Sequence, residues 1–417
     1  RGVTVRADIR LSPFDPGKVH GLALLRTLTG DIAIQGEVSS LGFLDRYLER
    51  VPSVEIEGEG RLDADVRLAA GELLPGSRFD LRGGKVKATF LNSVADGEAT
   101  VAGTVAGGAQ PIATVRVDFS AFAIAPQPTD SDPEPPSTYM RGAGLRLGIT
   151  SNDLDLATPV SDLHAAIDLP DGQIPDLTVY NTYLPPGTGI AILSGTGRLR
   201  LHFDIDATGR TGTGEVLLTS DTAEVRFQEL ELAGNLMLRL MLRAELTRSL
   251  KTQIFQIAGT RLDFDRVTYR EIGAAPGTES PGWWAHLRMT DGTMTWGRPL
   301  TLQGAATLEM KNSGFLLSVF DPKKKILHGF RHLLSIEGVH AEGIIRCGDG
   351  AIEISPLRVT GGRFDLRSRL RFSKDSKQGD LFLRWGRLAA GIELRDGKRT
   401  FKLRHPEAWF ESGKEPE

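Results

Sequence analysis

Apolar and charged residues alternate with a period of two along most of this 417-residue chain, and few folds accept that pattern. Successive residues of a strand point to opposite faces, so a half-buried strand must alternate, whereas a helix repeats every third or fourth residue. Across 54–68, Val54, Ile56, Leu62, Ala64, Val66 and Leu68 share one parity, while Glu55, Glu57, Glu59, Arg61, Asp63, Asp65 and Arg67 take the other. The same reading covers Val86, Ala88 and Phe90, then Leu199, Leu201, Phe203 and Ile205, then Phe364, Leu366, Leu370 and Phe372. Each strand has one wet and one dry face. Such alternation predicts antiparallel sheet rather than the continuous apolar strands of a parallel core.

Turn chemistry fits hairpins, because Asp-Gly and Gly-Gly pairs accept the positive φ angles of tight turns. Candidates are Asp171-Gly172, Asp291-Gly292, Asp349-Gly350, Asp396-Gly397, Gly83-Gly84 and Gly107-Gly108. One strand every ten or so residues gives roughly 25 strands. Helices are few. Leu41–Val51 is amphipathic, Gly17–Thr29 is a weaker helix interrupted by Gly21, and Asp321 with Pro322 opens a helix over 321–334. The run PQPTDSDPEPPS is too rich in proline and acid to hold a hydrogen-bonded ladder. The predicted organisation is therefore a β segment with short helices over 1–125, a Pro-rich acidic linker or loop over 126–140, a central β segment over 141–275, and a C-terminal β segment over 276–417.

Composition narrows the function classes. Fifty basic residues against 53 acidic ones leave a formal charge of −3, which gives no global reason to bind nucleic acid. The single cysteine, Cys347, cannot form an internal disulfide. No apolar run approaches the roughly 18 residues of a membrane-spanning helix, since even Leu236–Leu242 contains Arg239. Because the first residue is Arg1, a processed or fragmentary chain is expected, with any anchor upstream.

Catalytic signals are weak, and the chain is read as a non-enzyme without metal or cofactor. His328 and His332 stand four apart, but position 329 is Gly rather than the Glu of a zincin. Gly195–Gly197 and Gly209–Gly214 lack the context of a phosphate loop and read as sheet or turn glycines. Ser194 has no G-x-S-x-G elbow. Lys323, Lys324, Lys325 and Arg331 make the 321–334 helix cationic on one side, which suits either an anionic membrane surface or packing onto the sheet with lysines in water. Five tryptophans gather in the C-terminal third, where core packing outweighs stacking on bases or sugars.

The alternating strands, the Gly58–Leu68 segment and the closing run Gly379–Leu394 (GDLFLRWGRLAAGIEL) give the chain a texture that resembles the AsmA-like and TamB-like envelope proteins of Gram-negative bacteria. The resemblance implies a long, twisted, largely antiparallel β-sheet curled into a taco-like groove with a few short amphipathic helices. It also implies a periplasmic location, an inner-membrane anchor missing from this chain, and phospholipid transport between membranes. Membrane-surface or envelope-protein partners are further corollaries of the resemblance. A dry face that few helices can cover must fold on itself or hold something greasy. Val66, Leu68, Leu199, Leu201, Phe203, Leu238, Leu240, Leu366 and Leu370 are the expected lining of a lipid groove. Two other readings stand beside it: a structural or adhesive β-rich surface protein that binds carbohydrate or protein, with the dry rows sealed into a core, and an enzyme acting on envelope polysaccharide through paired carboxylates.

Overall fold

The computed structural model describes residues 2–41, 55–90, 93–127, 138–157, 162–206, 210–245, 253–273, 280–312, 315, 337–348, 350–361, 364–373, 376–395 and 398–413. As the alternation requires, they form one large antiparallel sheet of 26 strands. The first part of the chain supplies β1 (Thr4–Leu11), β2 (Leu28–Val38), β3 (Glu55–Gly58), β4 (Gly60–Ala69), β5 (Glu72–Leu73), β6 (Arg78–Phe90), β7 (Ser93–Ala106) and β8 (Ile112–Pro126). There follow β9 (Met140–Gly142), β10 (Leu145–Ser151), β11 (His164–Ile174), β12 (Ile190–Ser194), β13 (Gly197–Asp206), β14 (Thr211–Phe227), β15 (Leu230–Glu245), β16 (Gln253–Gln256) and β17 (Arg261–Glu271). The last are β18 (Ser280–Met289), β19 (Thr293–Trp296), β20 (Thr301–Asn312), β21 (Glu337–Gly348), β22 (Ala351–Gly361), β23 (Phe364–Ser373), β24 (Lys377–Trp385), β25 (Leu388–Arg395) and β26 (Lys398–Lys402). Short 3-10 helices occupy Gly21–Thr27 and Leu177–Tyr183, and one α-helix, α1, spans Pro406–Ser412.

The contacts divide the chain into two compact units. One holds Arg1–Ile174, Leu199–Glu215 and Ala244–Lys251; the other holds Pro175–Arg198, Val216–Arg243 and Thr252–Glu417. In the first unit the ladder runs β1–β2–β4–β6–β7–β8–β10–β11, every pair antiparallel. One dry rung crosses it as Leu62, Leu81, Val101, Val117, Leu147 and Ile167, each opposite the next and all buried. Charges line the other face, where Arg78 donates to Asp65 at 2.8 Å.

Glycine pairs serve two different ends. Gly107-Gly108 lies in the hairpin connection after Ala106, which pairs with Ile112, and Gly350 at φ 72 joins β21 to β22, where Gly348 pairs with Ala351. Asp171-Gly172, by contrast, lies inside β11 opposite β9, and a Cβ on Gly172 would sit 2.2 Å from Met140 Sδ. Gly83-Gly84 likewise falls within β6, at a register shift between Leu81 and Gly84 that marks a bulge rather than a turn. The expected helices fare unequally: Gly21–Thr27 is a 3-10 turn within 17–29, while 42–51 and 321–334 lie outside the described residues. The Pro-rich segment 128–137 also lies outside them, and the flanking strands β8 and β9 pair with each other through Phe122 and Gly142.

The second unit is a meander. Its ladder runs β15–β17–β18–β20–β21–β22–β23–β24–β25–β26, so each of these strands pairs with a near neighbour in sequence. On the outer face of β23–β25, α1 is fastened by arginines that the alternation assigns to water. Phe410 packs on the fully buried Phe382 at a ring distance of 6.2 Å. Arg369 lies 4.7 Å from the Phe410 ring centre and donates to the Gly413 carbonyl at 2.6 Å. Arg384 pairs with Glu407, and Arg367 approaches Glu407 at 3.4 Å and Glu411 at 3.6 Å.

Candidate functional site

The dry face of the second unit is built from rungs that the register holds in line. Leu287, Leu308, Ala341, Val359, Leu366, Leu383 and Ala390 lie each opposite the next from β18 to β25. Of these, Leu308, Ala341, Val359, Leu366 and Leu383 belong to one apolar cluster that also holds Leu230, Leu232, Val267, Met310, Val339 and Phe372. An aromatic group stands on this face. Trp283 and Phe315 have ring centres 4.7 Å apart, Tyr269 meets Phe315 edge-on at 5.9 Å, and Phe227 lies 5.9 Å from Phe315. Edge-on and offset arrangements suit the ring quadrupoles.

A cavity of about 160 Å³ remains within this cluster. Its cause lies in the sequence: Ala306, Ala341 and Gly343 are small where Leu308, Met310 and Leu357 stand opposite or beside them, and the larger side chains do not fill the difference. Phe227, Trp283, Phe315 and Phe372 supply the aromatic part of the wall. Apolar cavities of about this size stay dry and accept small apolar guests. Ser368 shares the Leu366 and Leu370 parity, between Leu357 and Leu381, and its buried hydroxyl has no hydrogen-bond partner.

The predicted groove residues fall into two sets. Val66, Leu68, Leu199, Leu201 and Phe203 belong to the first unit; Leu238, Leu240, Leu366 and Leu370 belong to the second. Leu370 lines the cavity and is 3% exposed, and Leu366 packs against the same cluster. Leu238 and Leu240 are half-buried in β15 and are not among the cavity's lining residues. Leu68 is buried, Val66 half-buried, and Leu199 and Leu201 half-buried. Phe203 is 3% exposed because its ring lies over Gly214, where a Cβ would come within 2.1 Å of it. Sequence reasoning missed Trp283, Phe315, Tyr269 and Phe227 as a group; Trp283 and Phe315 are 32 residues apart, and periodicity carries no signal for a contact at that range.

The dry face of the first unit opens toward β1. Leu68 is 5% exposed, its partner across β2 is Gly30, and opposite Gly30 stands Ile9 at 39%. Two rungs along the same face Ala64 is buried, Ile34 half-buried and Val5 58% exposed.

On the wet faces, histidines are held by carboxylates. His202 Nδ1 lies 2.5 Å from Asp168 and Nε2 lies 2.7 Å from Asp204, and these bonds, Asp168's first, hold its pKa above the ordinary imidazole range. His286 lies 3.0 Å from Asp265. Ser194 donates to Glu224 at 2.8 Å in an exposed setting. Burial pushes the Cys347 thiol up, which keeps it protonated and a poor nucleophile. Among the described residues, no group of three His, Cys, Asp or Glu side chains is arranged to hold a metal ion, and no helix is long and apolar enough to cross a membrane.

The fold and this face define a mainly-β protein, a single antiparallel sheet with apolar rows and an apolar cavity. Comparison with protein-family models, curated proteins and solved structures yields no match.

Proposed function

We propose that the dry face of this sheet binds phospholipid acyl chains and that the protein supports lipid movement between bacterial envelope membranes, as the AsmA-like and TamB-like texture of its sequence suggests. The cavity among Ala306, Ala341, Gly343 and the aromatic group carries this reading, because its lining is apolar throughout. Burying methylenes there gains about 0.8 kcal/mol each as an upper value. A volume of about 160 Å³ takes a segment of a tail rather than all of it.

Lipid extraction of the purified chain followed by mass spectrometry tests the proposal. Phospholipid is expected above the level of a soluble control protein, and Ala341→Leu, which fills the cavity, is expected to reduce it. Phospholipid at control level in the wild-type chain refutes the reading.

One observation favours the structural or adhesive alternative. Most of the clustered rows in the second unit are already buried by the chain itself, with Val267 fully so. Lipid-free protein of unchanged stability would support that reading.

A further inference from the structure

Strand β1 is exposed at every position, and among the described residues it pairs only with β2. Among the described residues its outer edge therefore has no strand partner for its backbone N–H and C=O groups, which makes it a template for a further strand. Natural edges are commonly blunted by lysine or proline. β26 follows that rule, since KRTFK carries Lys398, Arg399 and Lys402 and no acid. β1 does not. TVRADIRL alternates Arg6, Asp8 and Arg10 with Val5, Ala7, Ile9 and Leu11.

We infer that β1 is a self-complementary docking strand that pairs antiparallel with β1 of a second copy of this chain, on a two-fold axis through Ala7. In that register residue i faces residue 14 − i, so Arg6 meets Asp8 of the second copy and Asp8 meets its Arg6. Two opposite-charge pairs form on the wet face, while Val5 meets Ile9 twice on the dry face. Facing residues of an antiparallel pair share a face, and both kinds of pair stabilise a ladder. Registers centred on Asp8 or Arg6 oppose like charges. An Ile9-centred register also matches Asp8 with Arg10, but it leaves the first half of the strand unpaired. A two-fold through Ala7 keeps the ladder nearly full length and makes the interface isologous and closed.

The lone chain has a matching deficit. Asp8 stands opposite Asp31 across β2, and like charges in that position repel. Asp31 is met by Arg67 at 3.7 Å, whereas Arg6, Asp8 and Arg10 have no ion pair or side-chain hydrogen bond among the described residues. Arg6 of a second copy supplies the opposite charge. β26 offers neither β1 nor another β26 a carboxylate, so charge favours β1 on β1.

Sedimentation of the full chain over a concentration series tests this. A reversible dimer is expected, in about the micromolar range or weaker for an interface of this small size. Arg6→Asp or Asp8→Arg alone should weaken it about tenfold or more, since each change creates two like-charge contacts per dimer. The double variant R6D/D8R should restore it. In a Cys347→Ser background, Ala7→Cys should cross-link across the axis, where the separation of facing residues suits a disulfide, and Ile9→Cys should not. A chain monomeric up to about 0.1 mM, single variants that associate like the wild type, or cross-linking at Ile9 instead of Ala7 would each overturn the inference. Circular dichroism of each variant confirms that the sheet persists.

Discussion

The rows from β18 to β25 and the β1 margin use one sequence pattern to opposite ends. Between β18 and β25 the rung through Leu308, Ala341, Val359, Leu366 and Leu383 joins a cluster in which Val339, Ala341 and Val359 are buried. At the margin, Val5, Ile9 and Leu11 have the same parity as the buried Ala64 and Leu68, yet Leu11 is 62% exposed. Alternation specifies which face is dry. Whether that face is sealed depends on what the rest of the chain lays over it, and the energetic weight of a residue follows from that.

Substitutions can break this contrast. Trp283→Ala should cost about 3–5 kcal/mol, since a large buried ring leaves a void that the strands cannot close; chemical denaturation measures it. Leu68→Ala should cost about 2–5 kcal/mol by the same route. Ser368→Ala should stabilise by about 1 kcal/mol, because it removes a buried hydroxyl that has no partner. Ile9→Ser should lie within about 0.5 kcal/mol of wild type in the monomer. A cost at Ile9 equal to that at Leu68 would show that the margin is covered, and the contrast would fail.

The smallest effect concerns pH. The folded pKa of His202 is raised above 6.5 by its bonds to Asp168 and Asp204. The stabilisation from this exposed trio is therefore complete below the unfolded pKa and is lost as pH rises through the folded one. An NMR titration should place the His202 midpoint above 6.5, and Asp168→Asn should lower it more than Asp204→Asn.

Strand parity was legible because nearly every strand obeys it over short stretches. Its failures occur at bulges. Phe264 and Tyr269 pack on the same cluster although their numbers differ by an odd interval, because the register shifts between Phe264 and Val267 and again before Tyr269. Ile354 and Leu357 do likewise across the shift in β22. An extra residue flips the face, and no composition rule announces it. Helix α1 had a signal, Pro406 at its first turn, but seven residues are too few for periodicity to stand out. The cavity was legible only in part: Leu370 was in view from its strand, whereas the small residues Ala306, Ala341 and Gly343 gain meaning only once register sets them side by side.

From β21 to β26, each strand turns back onto the one just completed. Loop-closure entropy is then small at every step, so ordering can spread hairpin by hairpin as the chain emerges, without waiting for distant segments. The same wiring is modular. A duplicated hairpin would lengthen this stretch by two strands while leaving each existing partnership beyond the insertion point intact, so its span is open to change by simple genetic steps.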